Sequence, residues 1–323
     1  MNLDMMALGT LRPTGLFTSA EAARRGVQRS ELQRWKRARV VAAVNPSHYI
    51  DYERWQVLTS ERQLALRSWA LSTGFASNPV LSHRAAAELH RLPLPSTRTN
   101  ESGRIHLTHD SPGRTISTSR YTIHWRYGPT QCAVPIDGMS VVAPVLAAFG
   151  VAELHGTTAG VVALDAALHT GIATADTASM WLGRLSRRPG KARLRRVVAL
   201  ADGLSESPLE SRARLIIDAL GYTFRPQVVL QTNDGHFVAR VDGLIEELGV
   251  VVEVDGRIKY RDADGRGSVE TVLSEKHRDS AIRDLGYGIV RLDHLMLGDP
   301  PKVDAYIQAA ARRAKPQVCR RVA

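Results

Sequence analysis

The run GVVVEVDG at residues 249–256 constrains the fold more than any other segment. A strand so nearly apolar is buried on both faces, and carboxylates within it are then costly to keep. Glu253 and Asp255 are two residues apart, so both side chains point to one face. A second strand, Phe237–Ile245, precedes it, with Glu246–Leu248 between. With the hairpin loop at Glu247-Leu248, Asp242 lies directly across from Glu253. A one-residue slip would carry Asp242 to the opposite face. Opposed like charges destabilise a strand pair unless something compensates. A divalent cation is the usual compensation. Mg²⁺, with Mn²⁺ as a substitute, binds through one or two carboxylates together with phosphate and water.

The flanks extend the pattern. Ser207-Pro-Leu-Glu210 opens a helix with Ser at N-cap, Pro at N1 and Glu at N3. Leu209, Ala213, Ile216, Ile217 and Leu220 give that helix an apolar face, and Gly221 ends it. After a loop, Val269, Val272, Leu273 and Lys276 fall at i, i+3, i+4 and i+7 of a helix. Lys276 thus sits on the apolar stripe, where an acid cluster nearby or snorkelling would accommodate it. Lys259, four residues after Asp255, is the other candidate cation. Gly286 closes this helix, and Tyr287–Leu292 reads as a further strand.

Helix, two strands with Asp and Glu-x-Asp, helix, strand is the order of a restriction-endonuclease-like core. Here the chain resembles the PD-(D/E)xK superfamily, and within it the small Vsr-related nuclease-like domain. The segments that carry the resemblance are SPLESRARLII, VDG at 241–243, VVEVDGRIKY and EKHRDSAIRDLGYGIVRL. The resemblance implies that Asp242 and Glu253 hold a metal, with Asp255 beside them as a third acid. Asp255 occupies the place where the general pattern has its lysine, so Lys259 or Lys276 would supply the cation from elsewhere. Glu210 matches the helix acid of many such nucleases and equally suits a capping box. The candidate catalytic set is therefore Asp242, Glu253, Asp255, Lys259, Lys276 and Glu210. The alternative is a structural acid cluster in a nuclease fold that does not cleave.

The N-terminal segment carries a different signal. Thr18-Ser-Ala-Glu21 is a capping box, Gly26 breaks the helix, and a second helix runs from about Arg29 to Ala38. Leu32 and Trp35 face the first helix. Arg29, Ser30, Gln33, Arg34 and Arg37 face outward, with groups suited to base edges and phosphates. Val40–Val44, a turn at Asn45-Pro46, and His48-Tyr49-Ile50 read as a wing, which adds His48 and Tyr49 to the DNA-binding candidates. The bland alternative is a small helical subdomain with a polar face. The phrase FTSAEAARRGVQRSELQRWKRARVV, with LSHRAAAELHRLPLP further on, resembles the winged-helix and middle domains of AbiEi-type antitoxins. Such proteins repress their own promoter and neutralise a nucleotidyltransferase-like toxin. The stretch SVVAPVLAAFG departs from that family, which usually has Arg-Thr and Asp there. His83 and Arg84, near a helix start, read as capping and solvated surface with no catalytic role.

Composition bounds these readings. Lys+Arg number 43 against 32 Asp+Glu, a net charge of +11, and hydrophobic residues make up 44%. This is a globular composition, neither disordered nor collagen-like. The excess of positive charge points to a polyanion partner, double-stranded DNA first. From Arg184 to Arg196 there are seven basic residues and no acid, either a solvated helix face or a phosphate-contacting strip. A linker is expected around Arg187–Lys191, and the tail from Arg312 to Arg321 reads as a solvated basic end. The longest apolar stretch, Val141–Leu154, is too short to span a bilayer. The N-terminus lacks a cationic segment ahead of an apolar run, and Cys132 and Cys319 show no metal or redox spacing. The expected location is cytoplasmic, with no membrane partner. The expected architecture is multidomain α+β or α/β. It comprises a winged helix-turn-helix at 1–53, a mixed α/β middle at 54–200, and a restriction-endonuclease-like core with a basic tail at 201–323. Three functions fit: a Mg²⁺-dependent DNA endonuclease, a non-enzymatic antitoxin-type regulator, or a module whose basic surface meets an acidic protein.

Overall fold

The computed structural model describes residues 15–76, 79–95, 104–110, 114–125, 132–185, 190–255 and 269–315. The fold is mixed α and β, with three sheets among the described residues. Two compact units are present: Met1–Ala167 with Gly171–Ala199, and Leu168–Thr170 with Leu200–Ala323. The segments expected at 1–53 and 54–200 share the first unit. No helix is long and apolar enough to cross a membrane among the described residues.

The first unit opens with β1 (Phe17–Thr18), α1 (Ser19–Arg24), α2 (Arg29–Arg37), β2 (Val41–Ala43) and β3 (His48–Asp51). The capping box forms as its spacing predicts: Glu21 N–H donates to Thr18 Oγ1 at 3.1 Å, and Thr18 N–H donates to Glu21 Oε2 at 2.6 Å. Gly26 ends the first helix at φ +83°, a left-handed value that costs glycine nothing. The strands pair in the order β1-β3-β2. Phe17, Leu32, Val41 and Tyr49 close the small core, and the Phe17 and Tyr49 rings stack with centroids 5.9 Å apart. The hairpin turn is tied down by Asn45, whose Oδ1 accepts from the Ser47 and His48 amides. Its Nδ2 donates to the Ala70 carbonyl at 2.9 Å. Ala70 belongs to α4 (Ser60–Ser72), which follows the short α3 (Tyr52–Gln56). This anchoring explains why the segment belongs to the larger unit.

Next come β4 (Val80–Leu81), α5 (His83–Leu89), β5 (Ile105–His109), β6 (Ile116–Ser117), β7 (Tyr121–Trp125), β8 (Val134–Ile136) and β9 (Met139–Val141). Four helices follow: α6 (Pro144–His155), α7 (Thr157–His169), α8 (Ala175–Arg184) and α9 (Lys191–Leu200). The strands form one sheet in the order β6-β7-β5-β4-β9-β8. The pairs β5/β7 and β4/β9 are parallel, and the others antiparallel. The longest apolar run in the sequence becomes α6, buried continuously from Val145 to Ala152. A helix apolar all round belongs in a core, and the run's length suits a core helix rather than a membrane span.

His83 and Arg84 overturn their expected surface role. They are 0% and 3% exposed, inside the first unit. The helix they open packs between the sheet and α6, so both side chains turn into the interior. Cys132 is exposed and, among the described residues, unpaired. Cys319 lies outside the described residues, as do Arg187, Arg188 and the tail beyond Lys315.

The second unit contains α10 (Pro208–Ala219), β10 (Phe224–Gln231), β11 (Phe237–Ile245), a 3-10 turn Glu246–Leu248, β12 (Val250–Asp255), α11 (Val269–Asp284), β13 (Gly288–Asp293) and α12 (Pro300–Ala311). Its sheet runs β10-β11-β12-β13, with β12 antiparallel to β11 and parallel to β13. β12 is buried on both faces, as its composition predicts. Val250 and Val252 pack with Ile217 and Ile307 in one core, while Val251 packs with Val241, Leu244 and Ile282 in another. The sheet is thus covered on one face by α10 and α12, and on the other by α11. Strand β10 and helix α12 are additions to the order expected from sequence.

Candidate functional site

The hairpin register decides whether the acids meet. Gly243 pairs with Val252, Leu244 with Val251 and Ile245 with Val250. This is the register that a loop at Glu247-Leu248 dictates, and it sets Asp242 beside the end of β12. There Asp242 Oδ2 accepts from the Val254 amide at 2.7 Å. Gly249 takes a left-handed conformation at φ +59° after the 3-10 turn, so β12 begins at Val250 rather than at Gly249.

Glu253 is 8% exposed and faces α11. Its partner is Arg278, which donates from one guanidinium nitrogen to Oε2 at 3.2 Å and from another to Oε1 at 2.9 Å. The second nitrogen also donates to the Arg240 carbonyl at 2.7 Å, which fixes the fork against β11. Burial pushes the Glu253 carboxyl up to about 7, outweighing the opposite pull of Arg278, with Asp242 and Asp255 adding to the rise. Burial likewise raises Asp242; the Val254 amide opposes this, while the charges of Glu210 and Asp255 add to it. Four acids therefore share one electrostatic neighbourhood in a protein of net charge +11.

Glu210 joins this group through α10. Ser207 caps the helix by accepting from the Glu210 amide at 3.2 Å. The Glu210 carboxylate does not return to the Ser207 amide, as a capping box would have it. Its Oε2 accepts instead from Glu206 N–H at 2.9 Å and from Gln227 Nε2 at 2.8 Å. Gln227 sits in β10 at φ +53°, a strained value for a non-glycine residue beside the acid group. Asp255 is half-buried at the end of β12, with Asp293 as its neighbour on β13.

Of the two candidate lysines, only Lys276 lies among the described residues. Lys276 is exposed, so the apolar stripe that would hold it does not run through that position. Lys259 lies outside the described residues. The cation is Arg278, which the stripe counted from Val269 misses. Counting back one turn from the buried Ile282 puts Arg278 on the sheet-facing side of α11. That signal was present in the sequence.

Donor chemistry at the pair is hard oxygen, the kind that Mg²⁺ takes. Asp242 keeps one carboxylate oxygen beyond its bond to Val254, whereas both oxygens of Glu253 are engaged by Arg278. A cation held here would take over part of the role of the guanidinium. Among the described residues, Asp242, Glu253 and Asp255 do not form a trio with ligand atoms within 4.8 Å of one another. The residues suit an ion held by two carboxylates rather than three.

The N-terminal candidates divide. Arg29, Ser30, Arg34 and Arg37 are exposed on one helix, with Gln33 half-buried among them. Lys36 adds a further exposed cation. His48 and Tyr49 are not on the surface: they are 5% and 3% exposed. Tyr49 belongs to the core under α2, and the His48 ring stands edge-on to Trp69 of α4 with centroids 5.8 Å apart. β3 is the middle strand of its sheet and is covered on both sides, so neither residue is available to a groove. On α9, Arg193, Arg195 and Arg196 are exposed, but Arg193 is partly occupied by the Glu153 carbonyl at 3.1 Å.

The chain was compared with models of known protein families and with curated proteins, and neither comparison gives a match.

Proposed function

We propose that the chain is a double-stranded-DNA-binding protein whose second unit carries a nuclease-type carboxylate site. The observation that carries this reading is the pairing of half-buried Asp242 with buried Glu253 at one end of β12, both raised in pKa chiefly by burial, with Arg278 on Glu253. A carboxyl perturbed by burial beside a specific charge partner in this way is a candidate for a functional site. The resemblance to Vsr-related nuclease-like domains supports the same residues. Exposed Arg29, Arg34 and Arg37 on α2, followed by the β2–β3 hairpin, support a winged helix-turn-helix that would bring the chain onto DNA.

Asp242 and Glu253 would hold Mg²⁺. When bound, that ion polarises a scissile phosphate and lowers the pKa of its water. Arg278 holds the Glu253 carboxylate in place and offers a partly exposed guanidinium to a phosphate oxygen. It thereby fills the role that the general pattern gives to a lysine and that Asp255 cannot fill. Glu210, fixed by Gln227 and the Glu206 amide, raises the negative potential at Asp242. The test is cleavage of supercoiled plasmid with Mg²⁺ or Mn²⁺ by wild type, Asp242→Ala and Glu253→Ala. Loss of nicking in both variants supports the reading. Undiminished nicking, or none in the wild type, sinks it.

A second reading has its own observation. Arg278 already compensates Glu253 through both oxygens, without an ion. That favours a non-cleaving nuclease fold in an AbiEi-type regulator that binds its own promoter and pairs with a nucleotidyltransferase-like toxin. A gel shift on the upstream region, together with an inactive wild type in the plasmid assay, selects this reading.

A further inference from the structure

The first unit holds a polar cluster that no sequence spacing announces. His83 at the start of α5, His106 on β5 and His124 on β7 bring one ring nitrogen each to within 4.8 Å of one another. His83 is 0% and His106 7% exposed. Burying imidazoles without full hydrogen bonding is costly. His106 Nδ1 and His124 Nε2 are 3.0 Å apart. The other nitrogen of His106, Nε2, is buried with no hydrogen-bond partner among the described residues. His83 Nδ1 meets Ser82 Oγ at 2.9 Å, which leaves Nε2 facing the Glu153 carboxylate at 3.4 Å.

The backbone is strained to make this arrangement. His83 stands at φ +52°, a conformation that an L-residue with a side chain seldom adopts. Gly150 on α6 lets that helix lie directly on it. A Cβ at position 150 would be 2.6 Å from His83 Cα. Strain and a dedicated close approach, spent on seating one imidazole, are hard to explain by packing alone.

We propose that His83, His106 and His124, with Glu153 beside them, form a site for one borderline divalent transition-metal ion of the Zn²⁺ type. Imidazole nitrogens with a carboxylate suit this class of ion, whereas Mg²⁺ prefers oxygen. Ligand nitrogens at about 2.0–2.1 Å from a tetrahedral ion lie about 3.3 Å apart, so the His106–His124 pair is already close to the spacing needed. The proton between those two rings moves to the far nitrogen of one ring, a tautomer change that releases no proton. The His83 ring now stacks on His124 with centroids 4.4 Å apart and planes at 19°, so ligation turns it out of the stack toward Glu153. Ser82 on the opposite nitrogen is the outer partner that holds the ring's tautomer.

The experiment uses the full chain stripped with a chelator and titrated with Zn²⁺ by calorimetry and with Co²⁺ by visible absorption. The expected result is one equivalent per chain, with the intense d–d bands of a four-coordinate Co²⁺ complex, in wild type and in Asp242→Ala/Glu253→Ala alike. His124→Gln, at a half-buried position, is expected to weaken binding at least tenfold while its circular dichroism stays native. Binding that survives His124→Gln unchanged, or that disappears with the Asp242/Glu253 pair, overturns the proposal. So does a wild type whose Co²⁺ spectrum is that of the hexaaquo ion, a result that needs no variant.

Discussion

Arg278 grips both carboxylate oxygens of Glu253 from the helix that covers their shared face of the sheet, at 3.2 and 2.9 Å. The acid is 11% exposed at its side chain and the guanidinium 38%, so the pair is half-submerged. Removing the guanidinium strands a buried carboxylate, whereas removing both charges does not. Arg278→Ala is expected to destabilise the second unit by about 1–3 kcal/mol, within the range for losing one partner of a partly buried charged hydrogen bond. Arg278→Ala/Glu253→Gln should recover part of that loss. Urea unfolding monitored by circular dichroism measures the cycle, and strict additivity would contradict the coupling.

The pH response of the second unit follows from the same acid. Its folded-state pKa is raised from 4.5 to about 7, chiefly by burial. Below pH 4.5 both folded and unfolded states carry the proton and the group costs nothing. Between about pH 4.5 and 7 the unfolded state gives up its proton first, and stability falls. Above about pH 7 the penalty is complete. The slope from one such proton is at most about 1.4 kcal/mol per pH unit. Hydrogen-exchange protection factors of β12 amides, with the intrinsic pH dependence divided out, should fall across that window in wild type, and Glu253→Gln should flatten the fall.

Gly150→Ala tests the seat of His83. The added Cβ would meet backbone rather than a flexible side-chain end, at 2.6 Å from His83 Cα. Overpacking of this kind costs about 1–3 kcal/mol. Thermal unfolding of the first unit, followed by fluorescence of its tryptophans, should shift downward. A melting point equal to that of wild type would mean that α6 moves away freely.

Arg34→Ala/Arg37→Ala should weaken duplex DNA binding on all sequences. The slope of log affinity against log salt should shrink by about one for each phosphate that an arginine no longer neutralises. Tyr49→Phe, a core change beneath the same helix, should leave that slope untouched. Fluorescence anisotropy at several salt concentrations separates the two. Equal slopes in wild type and the double variant would remove α2 from the interface.

What could be read in advance, and what could not, follows one physical line. The meeting of Asp242 with β12 was legible because alternation fixes register once one turn is placed. Strand β10 was hidden by Pro226, which reads against a central strand yet is tolerated at the sheet edge that β10 occupies. Arg278 was hidden because the helical stripe was counted from Val269, whereas Ile282 sets the buried face. His48 and Tyr49 read from sequence as wing surface, but β3 is a middle strand between a small core and α4, a tertiary fact with no local signature. The histidine cluster draws on α5, β5 and β7, and the nearest two of its members are 18 positions apart. No local spacing could have gathered them.

The pairing of Pro226 with a left-handed Gln227 in β10 has a consequence for solution behaviour. An edge strand ordinarily presents a continuous row of main-chain donors and acceptors, to which another chain can add itself. Here proline removes one donor, and the next residue, at φ +53°, turns its peptide out of line. The outer margin of the sheet is therefore a broken template. Addition of a second chain along β10 is thereby disfavoured.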